Sequence, residues 1–336
     1  MATDASTIGR MQASGNTRGT LVAFLALSLV WGASFLFMKL GLEGLAPGQV
    51  VIGRVWFGAV TLAAVMLATR RHWPRNPRLW GHMVVVAVTF GVAPYALFAW
   101  AEQTVPSGLA SIYNATTPIM TLLLTPLLLR SERLSRAQAG GVVIGIVGVL
   151  VLSAPWQLIG SADLAGSLPG QLACLGATLC YGFSGLYLRR FVFGRGVDSL
   201  TLSAMEICLA APLALILLPF GGLQPIQVSV PVVLSIAALG VLGTGLAYIW
   251  YYRVLGEWGA ARASTVTYLA PVVGVVLGVL VLGETVHWYE PVGGLVVIAG
   301  IVASQGRWRM LGRATSPGQA QPGQRRAREN PLGSRP

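Results

Sequence analysis

Charged residues are scarce in this sequence. Only 10% of its 336 residues are Asp, Glu, Lys or Arg, and 54% are hydrophobic, whereas an ordinary soluble domain is about a quarter charged. So little charge excludes a typical soluble domain, whose surface must face water. We therefore expect a membrane protein.

Cysteine and histidine are also rare, with three of each. The cysteines lie inside apolar runs, where a thiol behaves as a small core residue, and the histidines lie outside any metal-ligand spacing. These residues are Cys174, Cys180, Cys208, His72, His82 and His287. We expect no disulfide, no metal and no cofactor.

Lysine is almost absent, because Lys39 is the only lysine among 23 basic residues. A primary pump needs a phosphate-binding loop with its lysine, and the sequence has no such motif. An intramembrane enzyme needs a nucleophile with a base at depth, so an enzyme is the least favoured class. A channel or membrane scaffold is the main alternative to a carrier.

Long apolar runs dominate what is present. A helix that crosses the hydrocarbon needs about 20 residues, and by that rule the sequence predicts an all-α polytopic membrane protein with ten transmembrane helices. The predicted spans are Leu21–Leu40, Val50–Ala68, Leu79–Ala101, Leu109–Leu129, Ala137–Ser153, Gln171–Leu188, Leu200–Phe220, Val230–Tyr251, Ala263–Leu282 and Pro291–Ser304.

The net charge of +12 predicts an orientation rather than nucleic-acid binding. The arginines form short clusters between apolar runs, and with a cytoplasmic N-terminus nearly all clusters fall on the inner side, as the positive-inside rule requires. We expect a cytoplasmic N-terminal segment (1–19), a retained first span, and a disordered, basic, cytoplasmic tail (305–336). The cell (inner or plasma) membrane is the predicted location.

An internal repeat divides the chain. "TPIMTLLLTPLLLRSERL" (117–134) resembles "APVVGVVLGVLVLGETV" (270–286), and Glu132 and Glu284 both precede two glycines at the same spacings. The two copies, 20–154 and 170–304, then hold five spans each, so an odd number inverts the second copy. Two inverted five-helix repeats are typical of secondary transporters.

These motifs resemble the EamA family of the drug/metabolite transporter superfamily. The resemblance depends on "WGASF" with Lys39 in span one, Arg54 in span two, the Pro-apolar-Glu runs that close spans four and nine, and glycine-rich spans five and ten. It implies a ten-helix carrier in the inner membrane with a central cavity between the halves. It also implies export of amino acids or related metabolites by alternating access.

The predicted cavity is lined by polar or aromatic residues of spans one, three, four, six, eight and nine. Asn114 and Thr267 occupy equivalent positions, each four residues before a proline. Packing is the alternative role for each member of the set. The candidates for substrate binding are Trp31, Ser34, Phe35, Tyr95, Tyr113, Asn114, Tyr181, Ser184, Tyr248, Thr267 and Tyr268.

Ionisable residues within the membrane are functional candidates, because each is costly there unless paired or wet. Arg54 and Glu206 are related by the repeat and are predicted near opposite faces as gating groups, and Glu206 is also a candidate for proton coupling. The alternative for each is a local polar contact or a side chain that snorkels to the interface. Lys39 is either an anchor at the end of its helix or a gating residue. Glu132 and Glu284 are predicted to cap or gate.

The expected partners are the lipid bilayer and a small-molecule substrate, with a proton gradient as a candidate energy source. Glycines of spans five and ten predict close helix packing, either within the chain or across a homodimer. They are Gly141, Gly145, Gly148, Gly293, Gly294 and Gly300.

Overall fold

The structure is a computed structural model of the chain, and it describes residues 17–129, 134–156, 162–219, 223–258, 263 and 265–305. Three predictions lie outside these ranges: those for residues 1–16, for Glu132 and for the tail from residue 306. All regular structure within the described ranges is helical. The all-helical class predicted from the sequence is therefore confirmed.

We number the helices in chain order. The first half contains α1 (Thr17–Leu42), α2 (Pro47–Ala68), α3 (Pro77–Ala101), α4 (Ser107–Asn114), α5 (Thr117–Leu128) and α6 (Arg136–Ser153). The second half contains α7 (Ala162–Phe191), α8 (Ser199–Leu213), α9 (Val230–Ala237, Ala238–Leu246 and Ala247–Trp258 without a break), α10 (Val266–Leu282) and α11 (Tyr289–Ser304). A short 3-10 segment, Ala214–Leu217, extends α8.

Seven of these helices, α1 to α3 and α6 to α9, have the length and composition to cross a membrane. Helices α10 and α11 are apolar but shorter. Each predicted span overlaps a described helix, but the number of ten crossings stays a prediction.

The helix starts follow from local sequence. Prolines stand in the first turns of α2 and α3, where the missing N–H costs nothing. The side chains of Asn76, Ser135, Asp198 and Ser229 accept backbone N–H groups at the starts of α3, α6, α8 and α9. Helix α10 ends at Gly283, whose φ of 65° suits a glycine.

The fourth predicted span is not one helix, which corrects the prediction. Residues Ala115 and Thr116 interrupt it between α4 and α5, and Pro118 lies in the first turn of α5. The hydroxyl of Thr116 donates to the carbonyl of Tyr113, and the hydroxyl of Thr117 donates to the carbonyl of Asn114, each at 2.8 Å. These two bonds satisfy carbonyls that a continuous helix would have used.

Helices α3 and α9 each contain a stretch of wider, π-helical turns. The stretches are Ala87–Val92 in α3 and Ala238–Leu246 in α9. Glu132 and Glu284 are 152 residues apart, and this offset relates 87–92 to 239–244. The same distortion therefore recurs at the same place in both repeats.

Helices α6 and α11 pack through their glycines. A Cβ on Gly148 would lie 2.7 Å from the backbone nitrogen of Val297, and one on Gly300 would lie 2.7 Å from the carbonyl oxygen of Gly141. Five of the six glycines predicted to mediate close packing thus meet within one chain, and the sixth, Gly294, faces Ile112 of α4. The two halves also interleave elsewhere, because α1 packs on α10 and α9, and α2 packs on α8 and α9.

Candidate functional site

Two ionisable side chains of opposite type, Arg54 of α2 and Glu206 of α8, lie buried in adjacent helices. They are 8% and 4% exposed, and they occupy equivalent positions, 152 residues apart, in the two repeats. The sequence predicted them near opposite faces. That placement stays a prediction. Both residues lie within electrostatic range of the hydroxyl groups of Tyr95 and Tyr181, and we call the residues around these two tyrosines the central cluster.

Arg54 is held by a hydroxyl and an aromatic face. Its Nε donates to Oγ1 of Thr244 at 3.1 Å, and its guanidinium carbon lies 3.6 Å from the ring centre of Tyr95. Thr244 in turn donates to the carbonyl of Leu239 at 3.2 Å, which leaves its oxygen as the acceptor for Arg54. The cation–π contact is worth about 2 kcal/mol when desolvated.

Glu206 has one long hydrogen bond among the described side chains. The hydroxyl of Tyr248 donates to its Oε1 at 3.4 Å. No carboxylate of the described residues lies within salt-bridge distance of Arg54. Both charges therefore keep hydrogen-bonding capacity for another molecule, because a guanidinium has five N–H donors and a carboxylate accepts about four bonds.

Aromatic rings form one wall of the cluster. The ring centres of Phe35 and Phe98 are 5.4 Å apart, those of Phe98 and Tyr181 are 6.3 Å apart, and those of Phe90 and Tyr181 are 4.9 Å apart. Such offset and edge-on pairs are the favoured arrangements of aromatic rings. The wall offers an apolar surface next to two charges.

Glycines bring α9 close enough to complete the cluster. A Cβ on Gly240 would lie 2.4 Å from Cβ of Phe57 and 2.8 Å from the carbonyl oxygen of Arg54. A Cβ on Gly58 would lie 2.7 Å from Cγ2 of Thr244. Only glycine fits at these contacts, and the close approach places Thr244 within reach of Arg54.

Several other predicted cavity residues have partners outside the central cluster. The ring centres of Trp31 and Tyr251 are 5.7 Å apart, the Ser34 hydroxyl donates to the carbonyl of Val30 at 2.8 Å, and the Tyr268 hydroxyl accepts from Gln305 at 2.8 Å. Ser184 is buried, and its hydroxyl has no partner among the described residues. Asn114 and Thr267 are half-buried.

Tyr113 is fully buried between α4, α6 and α7, where its hydroxyl lies 3.0 Å from both Ser153 and Gln171. The structure therefore gathers Phe35, Tyr95, Tyr181 and Tyr248 of the predicted cavity set, with Arg54 and Glu206, into the central cluster.

Sequence reasoning missed three members of this cluster, Thr244, Phe98 and Phe90. The glycine-rich stretch around Thr244 was the available signal, since glycine in a helix marks a close approach. The two phenylalanines gave none, because aromatic residues are common in any span.

A second cluster surrounds a cavity of about 610 Å³ at the end of the bundle where α1, α3 and α10 terminate. We call this cavity the vestibule. Its lining includes Lys39, Glu43, Glu102, Gln224 and Glu284. Of the residues predicted to bind or couple substrate, only Lys39 lines it.

Two long-range contacts fix the walls of the vestibule. Lys39 donates to the carbonyls of Glu102 and Val105, so its charge caps the C-terminal end of α3, where a cation is favoured. Glu284 accepts the N–H groups of Ser107 and Gly108 at 2.6 and 2.9 Å, which stabilises the start of α4. Glu284 is therefore a helix cap, one of the two roles predicted for it.

At the opposite end, Arg71 pairs with Asp198 between α2 and α8. Asp198 also accepts the N–H and the hydroxyl of Thr201 at 3.1 and 2.6 Å. Partial burial opposes ionisation, but the hydrogen bonds from Thr201 and the Arg71 guanidinium outweigh it and lower the pKa of Asp198. No cluster of three His, Cys, Asp or Glu residues that could hold a metal occurs in the described ranges.

Comparison with protein families decides what this architecture is. The model of the EamA-like transporter family matches the chain twice, over residues 18–154 and 168–304. The chain belongs to the EamA-like transporter family. It therefore also belongs to the drug/metabolite transporter superfamily, and it is a multi-pass membrane protein of transporter type rather than an enzyme.

Several EamA relatives cover most of the chain. A probable amino-acid metabolite efflux pump of Salmonella typhimurium is 27% identical over 83% of this chain and 92% of its own length. A probable terminal-alkyne amino-acid exporter of Streptantibioticus cattleyicolor is 28% identical over 88% and 96%. The inner membrane transporter YedA of Escherichia coli is 25% identical over 85% and 90%.

A solved crystal structure shares the EamA fold seen here. It superposes with a TM-score of 0.58 at 20% identity, over 85% of this chain and 97% of the other chain. At this identity the likeness shows the fold alone.

Proposed function

We propose that this EamA protein is a secondary transporter that exports amino acids or related small metabolites across the inner or plasma membrane by alternating access. Both termini face the cytoplasm in this proposal. The observation that carries it is the buried pair Arg54 and Glu206, at repeat-related positions beside a shared aromatic wall.

The chemistry of the central cluster complements an amino acid. A guanidinium binds a carboxylate through charge-assisted hydrogen bonds, a carboxylate accepts an ammonium group, and the wall of Phe35, Phe98 and Tyr181 suits an apolar side chain. Ionisable groups are expensive inside a membrane and are kept there for function. The names of the relatives from Salmonella and Streptantibioticus support the same substrate class.

The inverted repeat supports the mechanism. Helices from both halves contribute to the central cluster, with α1, α2 and α3 from the first and α7, α8 and α9 from the second. A site between two pseudo-symmetric halves can open alternately to either side when one half rocks against the other. We propose Arg54 and Glu206 as the groups that couple substrate to this motion, with a proton gradient as the energy source.

The experiment is counterflow in proteoliposomes. Purified protein is reconstituted with unlabelled amino acids inside, and uptake of the labelled amino acid is followed. A carrier is accelerated by substrate on the far side of the membrane, whereas a channel is not. Absence of acceleration for every amino acid, with leak of the same compounds, would favour the channel alternative.

Variants tie the activity to the central cluster. A charge-assisted hydrogen bond contributes about 1.5–3 kcal/mol, so Arg54→Gln and Glu206→Gln should each slow exchange about tenfold to a hundredfold. Glu206→Gln should also remove the pH dependence of transport. Arg253→Gln on α9 is the matched control, because Arg253 is 44% exposed and pairs only with nearby Glu257 among the described residues. Wild-type exchange in both cluster variants contradicts the proposed site.

A further inference from the structure

Glu102 is a fully buried carboxylate that the proposed transport site does not use. It follows the last residue of α3, its exposure is 0%, and neither of its carboxyl oxygens has a hydrogen-bond partner among the described residues. An ionised carboxylate without partners costs many kcal/mol in an apolar environment. The side chain therefore needs a proton or a cation.

The nearest described cation is Lys39, and it does not bind the carboxylate. Its ammonium group donates to the backbone carbonyls of Glu102 and Val105. In this arrangement the Lys39 ammonium group binds carbonyls at the C-terminal end of α3. The Glu102 carboxyl group then has no bound cation and is neutral.

Charged and titratable groups face Glu102 from every neighbouring element. They are Lys39 of α1, Arg54 of α2, Glu284 after α10 and Cys174 of α7. Burial raises the pKa of Glu102 well above its ordinary value, Lys39 and Arg54 oppose this effect, and Glu284 reinforces it.

The geometry points to Glu102 as a proton-binding site of the vestibule, with Lys39 as its movable partner. While Glu102 is protonated, Lys39 stays on the C-terminal carbonyls of α3. When the O–H bond breaks, the proton passes to vestibule water, and the Lys39 ammonium turns to the new carboxylate. The switch exchanges two ammonium–carbonyl bonds for one ion pair and so detaches α1 from the end of α3.

This inference goes beyond the proposed central site, and it can be tested without any substrate. Infrared difference spectra of the full chain in lipid vesicles, recorded between pH values, report the carbonyl stretch of a protonated carboxylic acid. We expect a component of this band that fades as pH rises, that is missing in Glu102→Gln and that persists in Glu43→Gln. Glu43 is the matched control because it is exposed and lines the same vestibule.

Two further variants test whether Lys39 and Glu284 change the pH midpoint at which the band fades. Loss of a nearby unit charge shifts a titration by about one pH unit. Lys39→Gln should therefore move the midpoint to higher pH, and Glu284→Gln should move it to lower pH.

Identical spectra of the wild type and a folded Glu102→Gln overturn the proposal. If Glu102→Gln does not accumulate in the membrane, the Lys39 and Glu284 variants decide the matter. Opposite shifts support the site, and unmoved midpoints overturn it. None of these outcomes depends on transport, so they separate this site from the central one.

Discussion

Single ionisable residues mark three levels along the bundle. Arg71 and Asp198 connect α2 to α8 at one end, Arg54 and Glu206 lie in the middle, and Lys39 lies beside Glu102 at the other end. At each level the two residues belong to different helices or helix ends. Changes of charge at any level therefore act on the contact between helices.

The first prediction concerns Asp198. Its folded pKa lies below its ordinary value of about 3.9, so its stabilising effect is present above that value and is lost as the pH falls through the folded pKa. Asp198→Ala should lower the free energy of unfolding by about 1 kcal/mol at pH 7, the usual contribution of an N-cap. Thermal unfolding in detergent measures this difference.

The control for that experiment is Asp198→Asn. Asparagine caps a helix as well as aspartate does, so this variant should keep most of the stability while losing the pair with Arg71. The gap between the wild type and Asp198→Ala should narrow below about pH 4. A gap that is constant with pH contradicts the assignment.

Residue-scale prediction from sequence is easiest where a residue type is rare in a membrane. The structure shows that Arg54 and Glu206 are buried, and their role stays a prediction. Arg54 and Glu206 were identifiable because few ionisable groups fall within the spans. Glu102 was missed because it directly follows Ala101, the last residue of a predicted span, and charged residues are common at the ends of spans. Only the packing of α1, α7 and the α10 end around it reveals its full burial.

Helices α6 and α11 pack most closely where glycine, which has no side chain, lies at the contact. Helices α6 and α11 approach until backbone atoms touch, as the contacts of Gly141, Gly148 and Gly300 show. In a membrane, such packing replaces the hydrophobic driving force that lipid does not supply.

The second prediction tests this packing. Gly148→Val should destabilise the protein by about 1–3 kcal/mol, the usual cost of overpacking, because the new Cβ would lie 2.7 Å from the Val297 nitrogen. Gly140→Val on the same helix is the matched control, since a Cβ there meets nothing within 4 Å. Denaturation in detergent should separate the two variants; equal stability contradicts a packing role.

Hydropathy located the elements well but not their interruptions. The predicted boundaries of α2 and α6 differ from the described ones by three residues or fewer. The break between α4 and α5 was not predicted, because a proline such as Pro118 can begin a helix or bend one. Whether the proline bends a helix or begins a new one depends in part on the threonine hydroxyls that bind the carbonyls of Tyr113 and Asn114.

For the whole molecule, the repeat in the sequence indicated an inverted architecture before any coordinates. It could not indicate which helices of one half contact the other, since that depends on side-chain shape along each face. The structure places α2, which carries Arg54, against α8 and α9 of the second half. The central cluster therefore includes spans two and seven, which the predicted cavity omitted.

The third prediction concerns orientation, which the positive-inside rule places with both termini in the cytoplasm. In a background with all three cysteines replaced by alanine, Gln103→Cys follows α3 and Arg75→Cys precedes it, and both native side chains are exposed. A membrane-impermeant maleimide added to intact spheroplasts should label position 103 and leave position 75 unlabelled until lysis. The reverse pattern contradicts the orientation.

The wide turns of α3 and α9 have the same consequence in both repeats. The hydrogen bonds of a π-helical turn span five residues, one more than those of an α-helix. Each wide turn therefore contains an extra residue. The two stretches, 87–92 and 238–246, stand at corresponding places in the repeats. Each stretch therefore shifts the side chains that follow it to a different face of its helix, and it does so at the same place in both halves.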